Sequence, residues 1–396
     1  MNPVLKSIRQ ASIDWRLVMM GGVLASIAIV FNVLSGGIFL SPENLYNIAQ
    51  QTAVVGIVAT VVVLVIVARH IDLSVGSVMG FVGILIATLM YTGGWHWVSA
   101  SLVGLAAAIA VSLYQGALTA KLGVPSFVVT LGGLMSFRGA AFLVADGKTQ
   151  PVNDEFFQRL GGGFDGAIGV TPSWVLAALI VGALILQTWA KRRAKASYEV
   201  PNNPLWLDAA FVLVPVLIVM AFVASMNSYR IPSKDAPQGV PIPVLIWASV
   251  AIILSFIVHR TRFGRYIFAM GGNPEAAALV GIPVRRVTLM LFGLMGILIT
   301  IAAIVSIARL NAGTNSLGTS MELYVIAAAV IGGTALAGGS GSISGSVLGA
   351  LIMQSIDSGM LLLDVSIGMR YVIIGQVLIA AVVFDVIYRR LTGDTL

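Results

Sequence analysis

No cysteine and only three histidines (His70, His96 and His259) occur among the 396 residues, and the histidines show no metal-ligand spacing. Thiolate nucleophiles, disulfides and cysteine-bound metals are therefore excluded, and no Ser-His-acid grouping stands out. Gly147-Lys148-Thr149 mimics the end of a phosphate-binding loop, but that pattern needs a glycine five residues before Gly147, where Phe142 stands. These residues point to no catalysis, no metal, no cofactor and no nucleotide site in the chain itself.

The polar groups that remain suggest passage rather than reaction. Arg138 is the one basic residue well inside an apolar run. A charge there costs several kcal/mol unless paired or hydrated. It either lines a polar cavity and bonds hydroxyls, or bonds the carbonyls of a neighbouring helix. Ile71-Asp72-Leu73-Ser74-Val75-Gly76 joins two apolar runs, and Asp72 or Ser74 can cap the second. Capped, broken helices at depth also expose backbone groups to a cavity. Asp72, Ser74 and Arg138, with Gly332 and Gly333 in a glycine-interrupted stretch, are the candidate translocation pathway.

The strongest signal is the polar tract 259–287. Asn273 stands as a helix cap, Pro274 in the first turn and Glu275 close behind. Ala276, Ala277 and Ala278 favour helix, and Gly281 with Pro283 ends it. Arg260, Arg262, Arg265, Arg285 and Arg286 flank it. A short surface helix with small side chains and basic flanks suits docking by a soluble partner. A linker whose arginines meet anionic lipid is the plainer reading.

The elements that carry these residues follow from composition. Apolar residues make up 58% and charged residues 10%, with mean hydropathy +0.98. Soluble domains hold about 25% charged residues, so the chain is read as one polytopic membrane domain, 1–396, that includes the tract 259–287. Apolar segments at 17–37, 48–68, 75–91, 98–120, 127–145, 174–190, 209–227, 240–258, 288–308, 323–337, 343–359 and 371–388 give an all-α protein with 10–12 transmembrane helices. The count is softest over 323–356, an uncharged stretch holding seven glycines, where two spans or a re-entrant pair of half-helices both fit.

With both termini cytoplasmic, 16 lysines and arginines fall inside, 6 outside and 1 within a span. The net charge of +7 is thereby explained by topology and membrane lipid, not nucleic acid. Residues 57–80 shifted by 269 positions onto 326–349 match at eight places, a weak internal repeat.

Gly272-Asn273-Pro274-Glu275-Ala276-Ala277 followed by Gly281 resembles the cytoplasmic coupling loop of sugar ABC-importer permeases of the ribose/xylose type. The segments 71–76, 124–131 and 330–339 resemble hallmark segments of the same family in the same order. The long middle section and the tail Ser355-Ile356-Asp357-Ser358-Gly359-Met360 are most similar to its xylose-type members.

The resemblance implies an inner-membrane importer for a monosaccharide, D-xylose or a related pentose. It implies a homodimer, a separate ATP-binding cassette ATPase below and a periplasmic sugar-binding protein above. Asn273, Pro274, Glu275, Ala276, Ala277 and Gly281 would then couple to the ATPase. The alternative is an ion-coupled secondary sugar transporter, which commonly needs membrane-embedded acids. Asp72, Asp357, Asp364 and Asp385 are instead expected at span ends.

Overall fold

Eleven of the twelve apolar segments fold as helices over essentially their whole length and the twelfth, 323–337, does so only in part, as hydrocarbon requires of a backbone without water to bond. A computed structural model describes residues 15–163, 165–198, 204–231 and 236–392. Both chain ends, Lys6, Arg9, Lys234 and part of the basic link 191–204 lie outside the described residues. In chain order the elements are α1 (Trp15–Leu34), α2 (Pro42–Val67), α3 (Val75–Tyr91), α4 (Trp97–Leu122), α5 (Ser126–Ala145), β1 (Gln150–Pro151), α6 (Glu155–Arg159), α7 (Val170–Ser197), α8 (Leu205–Ser228), β2 (Arg230–Ile231), β3 (Ala236–Pro237), α9 (Ile242–Arg260), α10 (Arg262–Gly272), α11 (Pro274–Leu279), α12 (Val284–Leu310), β4 (Ala312–Gly313), α13 (Met321–Ile331), α14 (Ile343–Leu362) and α15 (Ile367–Thr392). Among the described residues ten helices are long and apolar enough to cross a membrane, while α3 and α13 are shorter apolar helices.

The bundle is built around α2. Ser41 starts this helix by accepting the Asn44 amide at 3.3 Å, and Pro42 takes the first turn, where its missing N–H costs nothing. From Ala53 to Val67 every side chain is buried, so the helix is apolar on all sides and enclosed on all sides. Helices α9, α12, α13 and α14 surround it, α12 packs on α4, and α3 packs on α5.

Between helices that lipid already solvates, burial alone discriminates little, and polar links and close packing hold the bundle. Gln354 on α14 donates to Gln51 Oε1 at 2.6 Å, and Ser358 donates to Asn44 Oδ1 at 2.9 Å. Each such bond contributes roughly 0.6 kcal/mol in a membrane.

Helices α7 and α8 form a peripheral hairpin. Both carry apolar runs long enough to cross a membrane yet bury few side chains, so their faces meet lipid. Pro215 interrupts the hydrogen-bond ladder inside α8. Two small antiparallel pairs, β1 with β4 and β2 with β3, clasp the links at one end of the bundle. The pair α10–α11 occupies the other end.

The soft region resolves into an asymmetric crossing. Helix α13 is 11 residues long, not the fifteen-residue segment read at 323–337. The remaining depth is crossed by unwound chain before it, and α14 then runs 20 residues.

Candidate functional site

The surface element forms from purely local signals. Thr261 caps α10 by accepting the Gly264 amide at 3.3 Å. Asn273 Oδ1 accepts the Ala276 amide at 3.0 Å and so starts α11. At its end the Ile282 amide bonds the Ala277 carbonyl and the Gly281 amide bonds the Ala278 carbonyl, each at 3.0 Å. This paired closure requires a left-handed residue, and Gly281 supplies it at φ +86°. Glu275 and Ala276 are exposed, whereas Ala277 is buried against the bundle. Leu279 and Val280 are 89% and 78% exposed at the tip. Two apolar side chains held that far into solvent, among exposed arginines 262, 265, 285 and 286, make a compact docking edge.

This element is fastened to the bundle by Arg69, just past the end of α2. Arg69 Nε donates to the Gly271 carbonyl at 2.7 Å and Nη2 to the Gly272 carbonyl at 2.6 Å. A cation thus meets the last carbonyls of α10, where the helix dipole favours it. The Gly339 amide, in the turn after α13, donates to the Val67 carbonyl at 2.9 Å. Three segments therefore meet here: the end of α2, the α10–α11 junction and the turn 332–342. Beside Arg69, burial pushes the His70 imidazole below its ordinary range. The neutral ring stands 3.4 Å from the Thr288 hydroxyl.

The 71–76 link is clamped along α5. The Ser126 and Thr130 hydroxyls accept the Ile71 and Leu73 amides at 3.0 and 3.1 Å. Asp72 Oδ1 accepts the Ser74 amide and hydroxyl at 2.8 and 2.7 Å, and Ser74 also bonds Gln115. Both Asp72 and Ser74 are buried and satisfied by these neighbours.

Arg138 on α5 bonds carbonyls, as one of its two sequence readings held. They belong not to a helix but to unwound chain: Nη1 donates to Asn315 and Leu317 at 3.1 and 2.9 Å, and Nη2 to Gly318 at 3.3 Å. Gly332 and Gly333 close α13 at the α10–α11 end, Gly332 against Gly345 and Gly333 against Arg16. The structure thus brings Asp72 and Ser74 together, holds Arg138 against 315–318, and leaves Gly332 and Gly333 in a separate turn.

Three groups escaped the sequence reading. Arg69 was counted only as a topological charge. Glu322 carries no assignment from the sequence, yet a Cβ on Gly76 would touch its carboxylate, so it sits well inside the bundle. Asp357 lies in the last two turns of α14, near the span end where it is expected, but its partner is not marked by any local pattern: it pairs with Arg370 at 2.6 Å. The run 311–320 is polar, glycine-bearing and free of charge, the signature of an unwound segment that enters apolar surroundings.

The family model described as branched-chain amino acid transport system / permease component matches residues 44–382. The chain is similar to the xylose transport system permease protein XylH of Escherichia coli (strain K12), 34% identical over 96% of this chain and 94% of that protein. It is 35% identical to XylH of Haemophilus influenzae over 94% and 97% of the two chains. It is 32% identical to the ribose import permease protein RbsC of Escherichia coli (strain K12) over 88% and 87%. No solved structure matches the chain.

Proposed function

The chain belongs to the branched-chain amino acid transport system / permease component family, as a sugar permease of the ribose/xylose type, and from that premise we propose that it imports D-xylose or a related pentose, driven by a separate ATPase subunit. Ten apolar helices among the described residues and this family make it a multi-pass protein of the bacterial inner membrane. Two copies form one pathway, a periplasmic sugar-binding protein delivers cargo from one side, and two ATPase subunits engage α11 on the cytoplasmic side. Both termini lie in the cytoplasm.

One observation carries this reading. The short helix α11 is capped at both ends and presents Leu279 and Val280 to solvent while Arg69 ties its root to α2. Force applied to such an edge moves the bundle rather than bending a loop. Asn273, Pro274, Glu275, Ala276 and Gly281 shape the edge, and buried Ala277 seats it. Asp72, Ser74, Arg138, Gly332 and Gly333 set the walls and turns of the pathway by holding its broken segments in place.

Uptake into vesicles tests the reading. D-xylose should accumulate only when the ATPase, the binding protein and ATP are all supplied. Accumulation driven by an ion gradient with this chain alone would overturn it.

A further inference from the structure

After α12 the chain does not turn straight back into a helix. Ala312 and Gly313 pair with β1, and 314–320 then descends through the bundle as successive turns. Its depth is fixed by two close approaches. A Cβ on Gly76 would collide with the Gly318 carbonyl, and one on Gly80 with the Leu317 carbonyl. With helical rise ~1.5 Å per residue, Gly76 lies about 22 Å along α3 from Tyr91. Unwound chain therefore reaches far into the apolar layer.

Such backbone is tolerated in a membrane only inside protein or along water. Its buried side is accounted for, because Arg138 takes the carbonyls of Asn315, Leu317 and Gly318. Its other side is open at Ser316 and Thr319, which are exposed at this depth. Thr319 donates to the Ser316 carbonyl at 2.7 Å, and the Ser316 and Thr314 hydroxyls stand 3.2 Å apart. Asn315 Oδ1 and Glu322 Oε2 are enclosed in the bundle. Unwound backbone exposed at 316 and 319 is not inside protein, so this face borders water.

Resting on the permease reading above, we propose that the exposed face of 314–320 is the strip along which the pentose hydroxyls make their hydrogen bonds in transit. The exposed Ser316 and Thr319 hydroxyl oxygens accept from the sugar. Arg138 is a positioning residue that holds the strip's carbonyls and leaves its outer face to the cargo. A strip with a few adjacent acceptors, rather than an enclosing pocket, lets the sugar leave as readily as it arrives.

The absence of cysteine makes the test direct. Ser316→Cys and Thr319→Cys variants, in lipid vesicles with the ATPase subunit, should react with a charged methanethiosulfonate reagent. Leu143→Cys, on an 85% exposed apolar position, should not. Millimolar D-xylose should slow the reaction at 316 and 319 at least threefold. In uptake assays, Ser316→Ala and Thr319→Val should change the relative rates for D-xylose, D-ribose and L-arabinose at least threefold while ATP hydrolysis continues.

Unreactive thiols at 316 and 319 would overturn the proposal. So would reactive thiols indifferent to sugar together with an unchanged order of pentose rates. Reactive, sugar-protected thiols in a protein that needs no ATPase would support the strip and overturn the ATP-driven reading instead.

Discussion

Arg69 holds Gly271: its Nε donates to that carbonyl at 2.7 Å across 202 positions of sequence. The neighbouring Nη2 bond to Gly272 makes the grip two-pronged, and Arg69 itself sits in the left-handed backbone region at φ 64°. A non-glycine residue in that conformation is sustained by its surroundings. The end of α2, the root of α11 and the turn after α13 are thereby one joint, and α13 leads directly to Glu322 and the unwound strip.

Arg69→Ala removes both bonds, a loss of roughly 1–2 kcal/mol given that one of them is exposed. The protein should remain folded and the ATPase should still co-purify. Sugar moved per ATP hydrolysed should fall several-fold, with Arg69→Lys intermediate. An unchanged ratio in Arg69→Ala would show that force reaches the strip by another route.

Gly281 separates backbone from contact. A Cβ there meets no atom within 4 Å, but φ is +86°. Gly281→Ala should therefore cost only the left-handed penalty, about 1–2 kcal/mol, and retain ATPase binding. Gly281→Trp carries the same strain plus bulk beside the exposed Leu279–Val280 edge and should lose co-purification of the ATPase. Equal binding by both variants would count against the docking edge.

His70 gives the joint a pH dependence of known sign. Burial lowers its pKa from 6.5, so the folded form resists protonation while the unfolded chain accepts it. The stability it protects is fully present above about pH 6.5 and declines as pH falls below that. Melting temperature in detergent should drop more between pH 7.5 and pH 5.5 for the parent than for His70→Gln. Parallel curves would exclude the imidazole as the cause.

What the sequence made legible was local. Asn273, Pro274 and Gly281 mark α11 because a cap, a first turn and a left-handed stop are properties of a few adjacent residues. Arg138 was conspicuous because a charge within an apolar run is costly wherever its partners lie. Those partners, at Asn315, Leu317 and Gly318, are 177 to 180 positions away, and no local pattern identifies them. The polar run 311–320 has the composition of an external loop. It is drawn inward by the approach of Gly318 to Gly76, a contact between distant backbones. For the same reason the apolar pattern at 323–337 suggests a longer span than the short helix Met321–Ile331.

Tyr324 on α13 donates to Asp357 Oδ1 at 2.9 Å, and Arg370 on α15 donates to the same oxygen at 2.6 Å. One buried carboxylate on α14 thus ties three helices, and its charge is tolerable only because Arg370 is there. Arg370→Met strands the carboxylate, which typically costs about 3–5 kcal/mol, and should lower the melting temperature by several degrees. The double variant Arg370→Met with Asp357→Leu removes the stranded charge as well and should recover at least half of that loss. Tyr324 keeps no partner in the double variant, so α13 loses its side-chain anchor. Pentose uptake should therefore remain impaired although stability returns. Recovery of both together would mean the ion pair serves stability alone, and a double variant no more stable than the single one would mean the carboxylate is not the source of the cost.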